Sequence, residues 1–329
     1  MKKLTKIQKM VLLIILAVIL AFLPKIVGNN YFMTLINRVL IWYIAVLGLN
    51  FITGLTGENN LGMAGIFALG AYACGLATTK LGVSPWVGLM FSLGMGGIVG
   101  LALGYPSLRL KGIYLSLTTI GFGEVIRLLL VNLDGLTGGN TGVKGIPSLN
   151  IGSLVFDSEN KRYYILLIFA LFFLFCAYRL VNSKWGRIFK SLRDNSDSVE
   201  MIGVNIASMK ILAFTICCIF GSVAGGLYSC YMTYINPSTF TFNFSANMFM
   251  MLMVGGLESV FGGIFGTIMV IALPEFFASF TTDYYLVITY IIVFVGAIVF
   301  PNGWPRAIID GCKKLYSKIS GKAIAKAGD

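Results

Sequence analysis

The chain alternates long apolar runs with short polar interruptions. Apolar stretches fall at roughly 10–27, 32–56, 61–79, 85–104, 112–131, 162–181, 208–232, 244–257, 260–278 and 285–301. Most have the roughly 17 to 25 residues that a hydrocarbon core of about 30 Å requires of a helix. The runs are continuous and do not alternate over ten-residue segments, which sets aside a transmembrane β-barrel. The pattern predicts an all-α polytopic membrane protein of about ten transmembrane helices, a single transmembrane domain over 1–329. Residues 244–278 admit two divisions: two spans parted by "GGLES", or one span and a re-entrant piece.

Two polar interruptions stand out. Residues 132–161 form the longest, and "LDGLTGGNTGVKGIPSLN" within it is loop chemistry, rich in glycine with one proline. The other, 182–207, contains "GRIFKSLRDNSDSVEMIGVN", a charged island between two greasy spans. In it Asp197 is placed to cap a helix, Glu200 to complete a capping box and Gly203 to close the C-terminus. This predicts a short helix over Ser198–Ile202. So short a helix does not persist alone in water, so it needs a partner surface, with Arg193 and Asp194 free to meet charges there.

Composition sharpens this reading. At 57% hydrophobic residues and a mean hydropathy of +0.86, a soluble fold is excluded. The net charge of +12 reports topology and not nucleic acid. With a cytoplasmic N-terminus, 18 of the 25 Lys and Arg fall inside, 5 outside, and Arg38 and Arg127 within spans. Both termini are then cytoplasmic, 182–207 is a cytoplasmic loop, 302–329 a basic cytoplasmic tail and 132–161 the main extracytoplasmic loop. The basic, apolar N-terminus lacks a small-residue cleavage site and reads as a retained first span.

Candidate chemistry is sparse. There is no histidine, no phosphate-binding GxxxxGK[ST] loop and no hydrolase constellation, so catalysis is not expected. The six cysteines lack metal-ligand spacing and read as packing residues. Many of the 39 glycines lie within spans; Gly96, Gly100 and Gly104 repeat by four, which suits close helix packing. Glu124 and Arg127, one turn apart, can neutralise each other, and Arg38 is expected to snorkel. Ser116, Thr118, Thr119 and Glu124 are the candidate lining of a substrate path. Glu58 and Glu258 each follow a glycine-rich helix end, a parallel expected to be coincidental.

Several stretches carry a resemblance: "GLNFITGLTGENNLGMAGIFALGAY" (48–72), "PSLRLKGIYLSLTTIGFGEVIRLLLVNLDGLTGGNTGV" (106–143), "GRIFKSLRDNSDSVEMIGVNIASMKILAFTI" (186–216), "INPSTFTFNFSANMFMMLMVGGLESVFGGIFG" (235–266) and "PNGW" (301–304). The chain resembles the LivM-type permeases of branched-chain amino acid ABC importers. The resemblance implies a vitamin B12-type permease bundle in the bacterial inner membrane, non-catalytic and without a bound cofactor. It further implies a homologous LivH-type permease, two cytoplasmic ATPase subunits that hold ATP and Mg, and an extracytoplasmic substrate-binding protein as partners. On it, Arg193, Asp194, Asp197, Glu200 and Gly203 become the ATPase-coupling set. Gly138, Gly139, Asn140, Lys144, Asn236 and Pro237 become the docking face for the binding protein. The turn "TGENNLGMAGIF" departs from the family's more apolar or Ser/Gln-containing turn. Urea, other amino acids, nucleosides and sugars stay open as substrates, and a secondary transporter, a channel or a scaffold subunit as alternative classes.

Overall fold

A computed structural model describes residues 22–25, 28–110, 112–151, 154–155, 158–201, 203–278, 284–300 and 303–305. The expected span 10–27 and the tail 302–329 lie almost wholly outside the described residues. The remaining nine expected spans all correspond to helices. They are α1 (Asn30–Leu49, continued by a π-helical segment Asn50–Leu55), α2 (Met63–Lys80), α3 (Pro85–Ser107), α4 (Ile113–Asn132), α6 (Glu159–Val181), α9 (Ile206–Met232), α10 (Phe242–Gly255), α11 (Gly262–Ala278) and α12 (Tyr285–Val299). Among the described residues, α1 with its π segment, α3, α4, α6 and α9 are long and apolar enough to cross a membrane. The protein is a polytopic membrane protein.

Local chemistry sets the ends. Asn29 caps α1 by accepting the Tyr31 N–H, and Asn205 caps α9 by accepting the Ser208 N–H at 3.1 Å. Pro85 starts α3, where its missing N–H costs nothing. Glu159 in the first turn and Arg179 in the last suit the α6 dipole. The division of 244–278 is a hairpin of two short helices, α10 and α11, in which a Cβ on Gly266 would strike the Met251 carbonyl.

The core lies where α1, α2, α3 and α9 meet, and α2 and the π segment are almost completely buried. Contact between α3 and α9 is backbone-close. A Cβ would stand 2.8 Å from the Ile219 Cα at Gly96, 2.5 Å from the Thr215 Cα at Gly100 and 3.0 Å from the Ile211 Cα at Gly104. The four-residue glycine stripe is therefore a packing seam. By contrast α4 buries little beyond Leu115, Thr119, Gly123 and Leu130 and exposes Ile113, Tyr114, Leu117 and Val125.

The polar interruptions are more ordered than expected. Within 132–161 lie a helical turn α5 (Asp134–Thr137), strand β1 (Val143–Lys144) and the pair β2 (Asn150–Ile151) and β3 (Leu154–Val155). Strand β1 pairs antiparallel with β4 (Tyr234–Ile235), Val143 opposite Ile235. Within 182–207 there are two helices, not one: α7 (Lys184–Asp194) and α8 (Ser196–Met201).

Candidate functional site

The polar segments gather at two opposite ends of the bundle. At one end, α7 buries Gly186, Phe189 and Leu192, spaced by three, and exposes Arg187, Ser191 and Asp194. This is the apolar stripe of a surface helix. Helix α8 starts earlier than expected, and its cap is Asn195, whose Oδ1 accepts the Ser198 N–H at 3.1 Å. Asp197 lies inside α8 and is not its cap, because Asn195, one residue before the helix, already presents its oxygen to the open first turn. The C-terminus closes as foreseen. Gly203 takes φ +79° and its N–H donates to the Glu200 carbonyl at 2.9 Å. The Val204 N–H reaches back to the Val199 carbonyl at 3.4 Å, a Schellman closure over the buried Val199.

Charged side chains tie this end together. Arg193 does not point away from the protein. Its Nη1 donates to the Gly54 carbonyl at 2.8 Å and to the Glu258 Oε1 at 2.7 Å. Lys190 lies 3.3 Å from the other Glu258 oxygen. Lys210, on α9, forms an ion pair with Glu58, both side chains nearly buried. An open polar cleft of about 920 Å³ runs between these groups, lined by Glu58, Arg193, Glu200, Asn205 and Lys210. Of the expected coupling residues, Arg193, Asp194, Glu200 and Gly203 are exposed, and Arg193 is in addition bonded to Gly54 and Glu258 of the permease itself.

Sequence reasoning missed Asn50, Gly54, Lys190 and Lys210, and set Glu58 and Glu258 aside as a coincidence. The parallel between Glu58 and Glu258 was the available signal. Both glycine-rich helix ends arrive at this same end of the bundle and each carboxylate receives a cation from the 184–210 region.

At the opposite end the two segments proposed for docking are in contact. The β1–β4 pairing joins them, Asn236 Nδ2 donates to the Asn140 carbonyl at 3.0 Å, and the Lys144 ammonium sits 5.8 Å over the Tyr234 ring. Asn140 and Lys144 are exposed, Gly138 and Asn236 half-buried, and Gly139 and Pro237 buried. The last two shape the surface from beneath. The candidate path residues diverge. Thr118 is exposed and Ser116 half-buried, whereas Thr119 is buried, its Oγ1 accepting the Leu61 N–H at 3.1 Å, a joint between α4 and the start of α2. Glu124 pairs with Arg127 at 2.8 Å.

The family described as "Branched-chain amino acid transport system / permease component" matches residues 31–297. The chain belongs to this family. It is a permease component, a membrane subunit without catalysis of its own. It is 30% identical to the high-affinity branched-chain amino acid transport system permease protein LivM of Escherichia coli, over 83% of this chain and 69% of that one. It is 28% identical to a probable LivM of Methanocaldococcus jannaschii over 68% of this chain and 75% of the relative. The LivH permease of Escherichia coli is 23% identical over 79% of this chain and 89% of its own length. No solved structure is significantly similar. In this permease the family match begins at α1 and ends within α12, so it takes in both polar ends.

Proposed function

We propose that this permease moves branched-chain amino acids across the bacterial inner membrane, driven by ATP hydrolysed on two separate cytoplasmic ATPase subunits that bind the nucleotide and Mg. It pairs with a LivH-type second permease and receives substrate from an extracytoplasmic binding protein, with both termini cytoplasmic in a B12-type bundle of about ten helices. The ATPases grip the exposed face of α7 and α8; the binding protein docks on the face around Asn140 and Lys144. The observation that carries this reading is the family match across 31–297. Its support is the likeness to both LivM and LivH proteins, and a cytoplasm-assigned segment built as two short helices, the second capped by Asn195. The test is leucine uptake into proteoliposomes holding the permease pair, with binding protein outside and ATP inside, with and without the ATPases. Uptake only with ATPases and ATP is expected. ATPase-independent uptake driven by an ion gradient would identify a secondary transporter instead. Uptake of a sugar or urea but not of leucine would reject the substrate.

A further inference from the structure

Three backbone irregularities at the ion-paired end converge on one side chain. Helix α1 ends in the π-helical segment Asn50–Leu55, all six residues buried. Such segments are rare and concentrate at functional sites. Across from it, Glu258 is one of two non-glycine residues at positive φ among the described residues, at +68°. A conformation so sparsely populated persists only where its surroundings hold it. The third is Gly57 at φ +74°, where a Cβ would stand 2.9 Å from the Arg193 Cγ, so the absence of a side chain lets the arginine stem pass. Arg193 bridges the first two. Its Nη1 holds the Gly54 carbonyl within the π segment and the carboxylate of the strained Glu258. A further tie closes the loop, the Glu258 N–H donating to the Asn50 Oδ1 at 3.1 Å. Lys190 reaches only the carboxylate, so it does not replace the bridge to Gly54.

We propose that Arg193 is a positioning residue for transport: it transmits movement of α7 to the π segment of α1 and the turn between α10 and α11. This rests on the functional reading above and deepens it. Arg187, Ser191 and Asp194 on the exposed face of α7 are left for the ATPase, while the guanidinium of Arg193, itself partly exposed, is turned onto the permease by its bonds to Gly54 and Glu258. Displacing α7 shifts the guanidinium. The Gly54 carbonyl and the left-handed Glu258 then lose their shared partner together, and the two elements that meet there change as one.

The test uses the complete complex in nanodiscs, with Arg193→Ala and, because that change also removes the stem packed at Gly57, the shape-preserving Glu258→Gln. Two readouts are needed: recovery of ATPase subunits on purification, and the ratio of ATP hydrolysis with loaded binding protein to hydrolysis without it. Both variants are expected to retain the ATPases at wild-type recovery while the ratio falls by about fivefold or more, the size of an allosteric coupling. A merely structural role would leave the ratio intact in whatever complex assembles. Wild-type ratios in both variants would overturn the proposal, and so would loss of ATPase subunits from both, which would make Arg193 and Glu258 part of the ATPase contact. A wild-type complex whose hydrolysis ignores the binding protein would remove the functional reading, and the link's role with it.

Discussion

The two polar ends of the bundle are held together by different chemistry. The strand-paired end relies on main-chain bonds: β1 against β4, the Ile146 N–H to the Thr233 carbonyl at 3.1 Å, and turns through Gly138 and Gly142. Lys144 sits on the surface of a shape already fixed, and the half-buried pair Glu159–Arg162 at this end is held to Asn37 and Tyr231 by further bonds. The ion-paired end relies on long side chains, with Arg193, Lys190 and Lys210 reaching to Glu258 and Glu58. Main-chain pairing fixes geometry to within the length of a hydrogen bond and yields all at once. Charged pairs on long stems tolerate displacement and can change partners. The first kind of end suits a docking platform, the second a moving joint.

The contrast can be broken most severely at Lys210. Lys210→Ala leaves Glu58 nearly buried and uncompensated, and a loss of about 3–5 kcal/mol of stability is expected. Thermal unfolding in nanodiscs measures it. The paired change Lys210→Met with Glu58→Leu should recover most of that loss, whereas no recovery would show that the two do not interact. Next comes the cap of α8. Asn195→Ala should cost about 0.5–2 kcal/mol locally and weaken ATPase recovery. Asp197→Ala, which removes no cap, should do less, and the reverse order would restore Asp197 as the capping residue. The smallest effect is expected at the strand-paired end. Lys144→Glu with Asn236→Ala removes the exposed bonds of Asn236 to the Asn140 carbonyl, the Ser238 N–H and the Tyr234 hydroxyl, worth about 1 kcal/mol in all, and should lower stimulation by binding protein without changing ATPase recovery. Unchanged stimulation would remove these residues from the docking face.

The spans were legible because length and continuous hydrophobicity leave few alternatives in a bilayer, and the glycine stripe announced the α3–α9 seam by its spacing. Helix α7 was not legible as a separate helix, since its apolar stripe of Gly186, Phe189 and Leu192 is only three residues wide in a charged segment. The capping residue of α8 was misplaced by two positions, because Asn195, Asp197 and Ser198 are all competent caps and only the path of the chain decides among them. The partners of Glu58 and Glu258 lie 152 and 65 residues away in sequence. Local pattern carries no information about which cation reaches a given carboxylate across the core.

The central claim is that the ion-paired end meets the ATPases and the strand-paired end meets the binding protein. The most direct measurement is site-specific photo-crosslinking in the assembled complex, with a probe placed at Ser191 on the exposed face of α7 and another at Asn140. The account predicts that the Ser191 probe captures only an ATPase subunit and the Asn140 probe only the binding protein. Capture of the binding protein from Ser191, or of an ATPase from Asn140, would contradict it.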